Sequence, residues 1–339
     1  MFVRAIEIRD TGADLKFTGL TFWLYLLFMK ATFIRQREDT MFTKKRSDGT
    51  YIGNLHFFTR MLPFLMPTRT EACIYFEQEF NITKTLKYIR KRIKEKNEIK
   101  VSLFDIILYA SLRAIALRPK MNRFVSGYRY YQRNRISFNF VAKRDMSDEG
   151  EEVNVTMSFS PLLSLEEFCK KNHAHIMSLK EGSQADSEKI NSSVTNLPTF
   201  FIRLFVWFIK FLDRHNALPK SVIDSLPFFS TVFFTNVGSV GIDSPFHHNF
   251  EVGNCGIFCA VGKVRKENYL KPDGTMEPRD KVKITYTYDD RITDGIYCAR
   301  AIDTVRDLVE NPEKLEIPLT LTPEQLASLG LLESELQAE

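Results

Sequence analysis

The spacing of apolar residues predicts β-strands in two parts of the chain. In the first part, the runs EACIYFEQEF (71–80), YRYYQ, RISFNFVA and VNVTMSFS have the apolar alternation or aromatic content of half-buried strands. Three more strand-like runs follow later, namely STVFFTNVG, GNCGIFCAVGKV and KVKITYTYD. A Pro-Asp-Gly turn signal lies between the last two of these runs, which therefore read as a hairpin.

Helical periodicity occurs between the strand-like runs. Ile82, Leu86, Ile89 and Ile93 form one stripe of a helix expected from about 82 to 96. Capping signals mark three further helices, at 102–119, 164–180 and 294–311. The helix at 102–119 is apolar nearly all round, so we expect it to be the most buried. Helices mixed with hairpin-like strand pairs predict an α+β fold, a two-layer sandwich with a mixed sheet.

Two apolar runs raise the question of a membrane. Leu20–Met29 is too short to span a bilayer and is followed by basic residues. The aromatic-rich run Thr199–His215 contains Arg203 and Lys210, which are seven residues apart and share one helical face. These runs are either core-facing or interface helices, or helices that lie on a membrane surface with Trp and Phe opposite Lys and Arg.

Composition narrows the class of protein. The 339 residues carry a net charge of +5, with acidic residues interspersed among basic ones, so no nucleic-acid partner is expected. The five cysteines are scattered and form no CxxC pair, and no signal peptide is evident. Reduced thiols and a cytoplasmic location are therefore expected. His173 and His175 diverge on their helix, so no metal site is expected.

The candidate chemistry lies in ITYTYDDRITDG (284–295). Asp is a poor strand former and neighbouring carboxylates repel, so Asp290 at a strand end, followed by Asp294, requires a functional reason. His247 and His248 lie in a predicted loop and are either surface residues or have a catalytic or ligand-binding role. The chain contains no GxGxxG, P-loop, GxSxG or HExxH motif.

The order FFTNVGSVGI, GIFCAVGKV and ITYTYDDRITDG resembles the catalytic domain of the dihydrolipoamide acyltransferase component of 2-oxoacid dehydrogenase complexes. That family shares its fold with chloramphenicol acetyltransferase. The resemblance covers about 69–312, which we interpret as an acyltransferase-like catalytic domain. Residues 1–68 are then an N-terminal segment with an apolar helix, packed on or extending that domain, and 313–339 an acidic C-terminal tail.

The resemblance implies a chloramphenicol-acetyltransferase-like homotrimer with its active site between subunits. Coenzyme A, as acyl-CoA, would be a substrate, with small molecules as acyl donor and acceptor and no metal or bound lipoate. In the family motif DHRxxDG the His is the general base and the later Asp anchors the active-site loop. Asp290 stands at the place of that His, and Asp294 at the place of the anchor.

The resemblance also assigns Thr235 and its neighbours. Thr235 takes the place of the hydroxyl that hydrogen-bonds the tetrahedral oxyanion, although an ordinary strand threonine is an equal interpretation. Asn236 and Gly238 complete the T-N-V-G motif and are expected to contact the coenzyme.

The absence of the motif His leaves three possibilities open. Asp290 itself acts as the base, His247 or His248 has taken over that task with Asp290 orienting the ring, or catalysis is lost or altered. The function is accordingly either a CoA-dependent acyltransferase, a catalytically inactive scaffold or ligand-binding protein of the same fold, or a peripheral membrane protein that binds or acts on acyl lipids.

Overall fold

The computed structural model describes residues 44–95, 99–143, 152–180 and 198–330. The chain divides into two compact units, Met1–Lys44 and Lys45–Glu339, and every helix and strand described here belongs to the second. The predicted apolar helix within Leu20–Met29 lies outside the described residues, as do residues 331–339 of the predicted C-terminal tail.

A six-stranded mixed sheet forms the centre of this unit. Its strands are β2 (Cys73–Asn81), β5 (Ile136–Lys143), β6 (Glu152–Phe159), β7 (Val232–Asn236), β8 (Ile257–Leu270) and β9 (Met276–Asp289). Their order is β2-β9-β8-β7-β5-β6, with β7 parallel to both neighbours and all other pairs antiparallel. The predicted mixed sheet is therefore present, and β8 and β9 form the predicted long hairpin.

The YRYYQ run belongs to a second, smaller sheet. Its strands are β1 (Gly49–Tyr51), β3 (Arg123–Ser126) and β4 (Arg129–Arg133), in the order β1-β4-β3. A buried ion pair lies beside this sheet: Nε of Arg46 is 2.8 Å from Oδ1 of Asp48. Arg46 also pairs with Asp213, so the small sheet is tied to the segment around 213.

One face of the six-stranded sheet is covered by helices. They are α2 (Thr83–Lys94), α3 (Leu103–Leu117), α4 (Leu165–Lys180) and α7 (Gly295–Glu310). Ser102 and Asp105 form a capping box at the start of α3, which is buried over nearly all its length, as predicted. Phe234, Cys259 and Tyr286 point from the central strands into the core beneath these helices. Helices on one face of a mixed sheet give the predicted two-layer α+β sandwich.

The opposite face of the sheet is covered in part by the loop 241–254. The Thr285 hydroxyl donates a 2.7 Å hydrogen bond to the carbonyl oxygen of Pro245, and the Thr287 hydroxyl donates to that of His247. Phe233 and Phe258 belong to this face and form a small cluster of their own. The loop thus fixes His247 and His248 on the side of the sheet away from the helices.

Further helices among the described residues lie outside the main helical layer: α1 (Phe57–Leu65), α5 (Thr199–Arg214), α6 (Lys220–Ser225) and α8 (Pro323–Ser328). The segment after α7 packs against the core through buried Leu315 and Leu329. Within the described ranges, no helix has the length and apolar character required to cross a bilayer. All five cysteines are free thiols, four of them buried.

Candidate functional site

The turn after β9 is clamped by buried charged groups. Arg291 makes two hydrogen bonds to the Asp289 carboxylate, at 2.8 and 2.6 Å, and a third, at 2.9 Å, to the carbonyl oxygen of Met66. Arg69 lies 4.0 Å from Asp289 and donates to the carbonyl oxygen of Cys255. The Asp289 charge is therefore fully paired, and its role is to shape the turn. Buried ion pairs with this many hydrogen bonds hold one geometry because any other would leave a charge unsatisfied.

Asp290 is the carboxylate that this turn presents. Its backbone N–H donates a 2.8 Å hydrogen bond to the carbonyl oxygen of Ala72, so the residue is tied to the chain just before β2. The side chain is half-buried, and the Tyr288 hydroxyl donates to its Oδ1 atom at 3.4 Å. Burial raises the pKa of Asp290, the Tyr288 hydrogen bond lowers it and the Asp289 charge raises it, with a net upward shift. Asp290 is therefore a stronger base than an exposed aspartate.

Tyr288 connects Asp290 with the interior of the protein. Its ring faces the helical layer, and burial raises its own pKa well above the usual value. A small apolar cavity of about 50 Å³ lies between the sheet and helices α3 and α7, with Tyr288 and Cys298 in its wall. The carboxylate of Asp290 thus lies between the turn that carries Asp289 and Arg291 and the apolar cavity beside Tyr288.

Asp294 begins helix α7. Its carboxylate Oδ1 accepts a 2.9 Å hydrogen bond from the backbone N–H of Tyr297, which is the geometry of an N-cap. The side chain is otherwise exposed. Asp294 therefore fixes the start of α7 four residues after Asp290.

Thr235 lies at the end of β7, far from Asp290 within one chain. Thr235 pairs with Ala260 of β8, and Ala260 pairs with Thr285 of β9. Thr285 precedes Asp290 by five residues. Two strand spacings and five residue rises give a separation of roughly 19 Å between Thr235 and Asp290. One copy of the chain therefore does not bring the two residues together.

The residues after Thr235 form a tight turn. Asn236 is half-buried, and its carbonyl oxygen accepts a 2.7 Å hydrogen bond from the Ser239 hydroxyl. A Cβ atom at Gly238 would overlap the carbonyl oxygen of Gly262 in β8, so this position requires glycine. Gly238 thus has a packing role, which is independent of its predicted role in binding the coenzyme.

The two loop histidines do not contact Asp290 within the described residues. The His247 ring stacks on Phe258 with a centroid distance of 4.4 Å, and burial lowers its pKa. The His248 ring packs edge-on against Phe250. Both lie on the face of the sheet that carries the loop 241–254, whereas the Asp290 carboxylate bonds Tyr288 from the helical face. Within one protomer the two rings and the Asp290 carboxylate thus lie on opposite faces of the sheet, and the relocated base stays a prediction.

Sequence reasoning missed three groups that position Asp290: Tyr288, Arg69 and the backbone of Ala72. Tyr288 sits in the same ITYTYDD run and could have been found from its spacing, since residues two apart on a strand share a face. Arg69 is remote in sequence and had no such signal. Among the described residues, no group of three or more His, Cys, Asp or Glu side chains is arranged to hold a metal ion.

Comparison with known proteins identifies a matching family. Residues 230–317 match the model of the 2-oxoacid dehydrogenases acyltransferase (catalytic domain). A search of curated protein sequences gave no significant match.

Solved structures resemble a larger part of the chain. A dihydrolipoamide acetyltransferase from Azotobacter vinelandii aligns with a TM-score of 0.50 and 14% identity, covering 78% of this chain and 94% of that one. A probable dihydrolipoamide acetyltransferase from Listeria monocytogenes has a TM-score of 0.49 and 14% identity, covering 80% and 98%. A chloramphenicol acetyltransferase has a TM-score of 0.48 and 14% identity, covering 77% and 99%. Residues 230–317 are thus similar to the catalytic domain of 2-oxoacid dehydrogenase acyltransferases, and the chain has the mixed-sheet α+β fold that its sequence predicts, in common with the Azotobacter acetyltransferase.

Proposed function

We propose that the protein is an acyltransferase that moves an acyl group from a coenzyme A thioester to a small-molecule acceptor. It acts as a homotrimer, with Thr235 of one protomer opposite Asp290 of the next. The observation that carries the proposal is the pair of features within the matched segment: a carboxylate with a raised pKa on a clamped turn, and a threonine hydroxyl about two strands away. The roughly 19 Å between them in one chain is explained if a second copy completes the site.

The spacing of the functional residues also supports this proposal. In the Azotobacter enzyme, a serine, a histidine and, four residues after the histidine, an asparagine have a role in the catalytic mechanism. Asp290 and Asp294 have the same spacing, and Thr235 supplies a hydroxyl upstream of them. This chain differs from the Azotobacter enzyme in that Asp290 supplies a carboxylate where that enzyme has the imidazole of a histidine.

The chemistry needs a base and an oxyanion donor. The acceptor hydroxyl or thiol attacks the thioester carbonyl carbon while Asp290 takes its proton. The Thr235 hydroxyl donates a hydrogen bond to the oxyanion of the tetrahedral intermediate. The carbon–sulfur bond then breaks, and Asp290 gives its proton to the departing thiolate, which leaves as coenzyme A thiol while Asp290 is ionised again. The raised pKa of Asp290 favours the first proton transfer, since an ordinary carboxylate is a weak base for it.

An inactive scaffold is the second candidate, because Asp290 replaces the group that would titrate near neutral pH. The experiment that separates the two incubates the purified full chain with acyl-CoA thioesters from acetyl to long-chain and with candidate acceptors. It measures free coenzyme A thiol and acylated product. Transfer that is lost in Asp290→Asn and kept in Asp303→Asn, an exposed carboxylate on α7, supports the enzyme.

The same assay tests the relocated base. Loss of transfer in His247→Gln or His248→Gln, with Asp290→Asn retaining part of the activity, would assign the base to the loop histidines instead. No transfer with any thioester would favour the scaffold. In that case Asp290→His tests whether an imidazole at this position creates activity.

A further inference from the structure

Helix α5 carries two apolar faces, and only one of them is buried. Ile209 packs with Leu218, Ile223 and Phe229 in a small core of its own. The opposite face leaves large apolar side chains in solvent, among them Phe200 at 69% and Trp207 at 58% exposure. The other large apolar side chains exposed on this helix are Phe201, Leu204, Val206, Phe208 and Phe211. A monomeric soluble protein rarely exposes so many large apolar side chains on one helix.

Helix α1 extends this exposed area. Its side chains Phe57, Phe58, Phe64 and Leu65 are exposed, with Phe57 at 74%. The Phe64 ring stacks on Tyr128 with a centroid distance of 4.9 Å, and the Arg214 guanidinium of α5 lies 4.5 Å from the same Tyr128 ring. The C-terminal ends of α1 and α5 therefore lie on either side of Tyr128, and we call the exposed apolar side chains of the two helices together the aromatic surface.

Basic residues border the aromatic surface. Arg203, Lys210 and Arg214 recur at intervals of seven and four, so they form one row along the exposed side of α5. No ion pair joins Arg203 or Lys210 to another described residue. The nearby carboxylates are already engaged: Asp213 pairs with Arg46, and Glu251 accepts hydrogen bonds from Thr70. The area is thus apolar and positively charged.

A cleft of about 200 Å³ lies between the two helices, and its lining includes two of these cations together with the engaged carboxylates Asp213 and Glu251. Pro63 of α1 lines one side, and Ile209, Lys210 and Arg214 of α5 line another. The two cationic side chains are exposed at this cleft, where a phosphate group can reach them. The aromatic surface therefore combines apolar rings, which suit the hydrocarbon side of a membrane interface, with cations, which suit the headgroup side.

We propose that the aromatic surface docks on the surface of a bilayer that contains anionic phospholipids. Helix α5 is 16 residues, or about 24 Å, long and can lie in the plane of the interface with its rings at the depth of the headgroups. The basic row then faces lipid phosphates. This inference does not depend on acyl transfer, since the docking residues are separate from Thr235 and Asp290.

The positive charge beside the aromatic surface favours a bilayer, rather than a second copy of the chain, as the partner that binds there. If two aromatic surfaces met face to face, their basic rows would approach one another, while the neighbouring carboxylates of Asp213 and Glu251 are already engaged within the chain. Lysine is also depleted at the core of protein–protein interfaces. An anionic lipid surface complements both the rings and the cations, and it attracts each basic residue near it.

The test is flotation of the full chain with vesicles of phosphatidylcholine alone and of phosphatidylcholine mixed with phosphatidylserine. The protein is expected to float with the mixed vesicles, and less so as salt is added. The double variant Trp207→Ser/Phe208→Ser is expected to reduce the partition coefficient at least tenfold, as each buried ring contributes to binding. The matched control is Leu270→Ser/Met276→Ser at the β8–β9 hairpin, where the side chains are 62% and 61% exposed.

A second pair of variants tests the basic row. Arg203→Gln/Lys210→Gln is expected to lower binding to the mixed vesicles, whereas Lys266→Gln, an exposed lysine of β8, leaves it unchanged. In a Trp23→Phe background Trp207 is the sole tryptophan, and its fluorescence is expected to shift to the blue when vesicles are added.

Three results would overturn the proposal. The first is a protein that does not float with either vesicle type while its circular dichroism is that of a folded chain. The second is equal loss of binding in the control at the hairpin, or full binding by Trp207→Ser/Phe208→Ser, which would assign binding to another part of the chain. The third is a change in sedimentation mass, without a change in flotation, on replacing Trp207 and Phe208. That result would identify the aromatic surface as an interface between copies of the chain.

Discussion

Tyr288 and Asp290 lie on the same side of the sheet at the end of β9, and the Tyr288 hydroxyl donates a hydrogen bond to Oδ1 of Asp290 at 3.4 Å. This bond stabilises the ionised carboxylate and opposes the burial that raises its pKa. The tyrosine therefore sets how basic Asp290 is, and its removal changes the pH range in which a base at this position works.

Tyr288→Phe is expected to shift the pH dependence of acyl transfer. Loss of the hydroxyl raises the pKa of Asp290 further, and a carboxylate base works only when ionised. The acidic limb of the kcat/KM profile should therefore move to higher pH, while activity at high pH is retained. The ring packing against Phe76, with centroids 6.0 Å apart, is kept in the variant.

A matched control for this change is Tyr269→Phe on the exposed hairpin, which should leave the profile unchanged. An unshifted profile in Tyr288→Phe, with transfer intact, would show that Asp290 is not the titrating base.

Asp294→Ala is expected to destabilise the fold. The carboxylate accepts the Tyr297 amide at the N-terminus of α7, and loss of such a cap costs about 0.5–2 kcal/mol of unfolding free energy. Thermal unfolding should show a lower melting temperature together with reduced transfer. The control is Asp303→Ala, which removes a solvent-exposed carboxylate from the middle of the same helix. Equal melting curves for Asp294→Ala and the native protein would contradict the capping role.

Two inactive variants should restore each other's activity if the site is shared between protomers. Thr235→Val removes the oxyanion donor and Asp290→Asn removes the base. In randomly mixed trimers one interface in four combines an intact Thr235 with an intact Asp290, so transfer at about a quarter of the native rate is expected. Subunit exchange followed by the thiol-release assay measures this. A mixture no more active than its two components would place both residues in one protomer or remove one of them from the mechanism.

His173 and Asp105 form a pair that makes stability depend on pH. The His173 Nε2 atom lies 3.0 Å from Oδ2 of Asp105, and this hydrogen bond raises the pKa of His173. A raised folded-state pKa means that the stabilisation is fully present below the unfolded pKa and is lost as the pH rises through the folded value. His173→Asn should therefore lower the melting temperature more at slightly acidic pH than at alkaline pH.

His175, two residues later, makes stability depend on pH in the opposite direction. Burial lowers the pKa of His175, so its protonation opposes folding and His175→Asn should relieve destabilisation at acidic pH. Thermal unfolding of both variants across pH 5–9 is the measurement, with the range chosen around the usual imidazole pKa of about 6.5. A parallel response of the two variants would contradict the pairing of His173 with Asp105.

The elements with strong periodicity were predictable from sequence, and the short ones were not. The hairpin β8–β9 and helices α3 and α7 follow directly from their apolar patterns and caps. Strands β1 and β3 have three and four residues, too few for a pattern, so the small sheet that receives YRYYQ could not be foreseen.

The candidate site was predictable as a set of residues but not as an arrangement. Asp290 and Asp294 were recognisable from unfavourable acidic residues at a strand end. That Arg69 pairs with Asp289 depends on the tertiary fold, because 220 residues separate them. The face of the sheet on which His247 and His248 lie was likewise not predictable, because it depends on how the loop 241–254 folds over Thr285 and Thr287.

The stretch from Met66 to Ala72 joins the aromatic surface to the turn that carries Asp290. Helix α1 ends at Leu65, Met66 accepts a hydrogen bond from Arg291, and Ala72 accepts one from the amide of Asp290. A displacement of α1 at a bilayer thus reaches that turn through two hydrogen bonds and a short length of backbone. If the two regions are coupled in this way, thermodynamic reciprocity requires vesicles to change the affinity for the acyl donor by the same factor as the donor changes the affinity for vesicles.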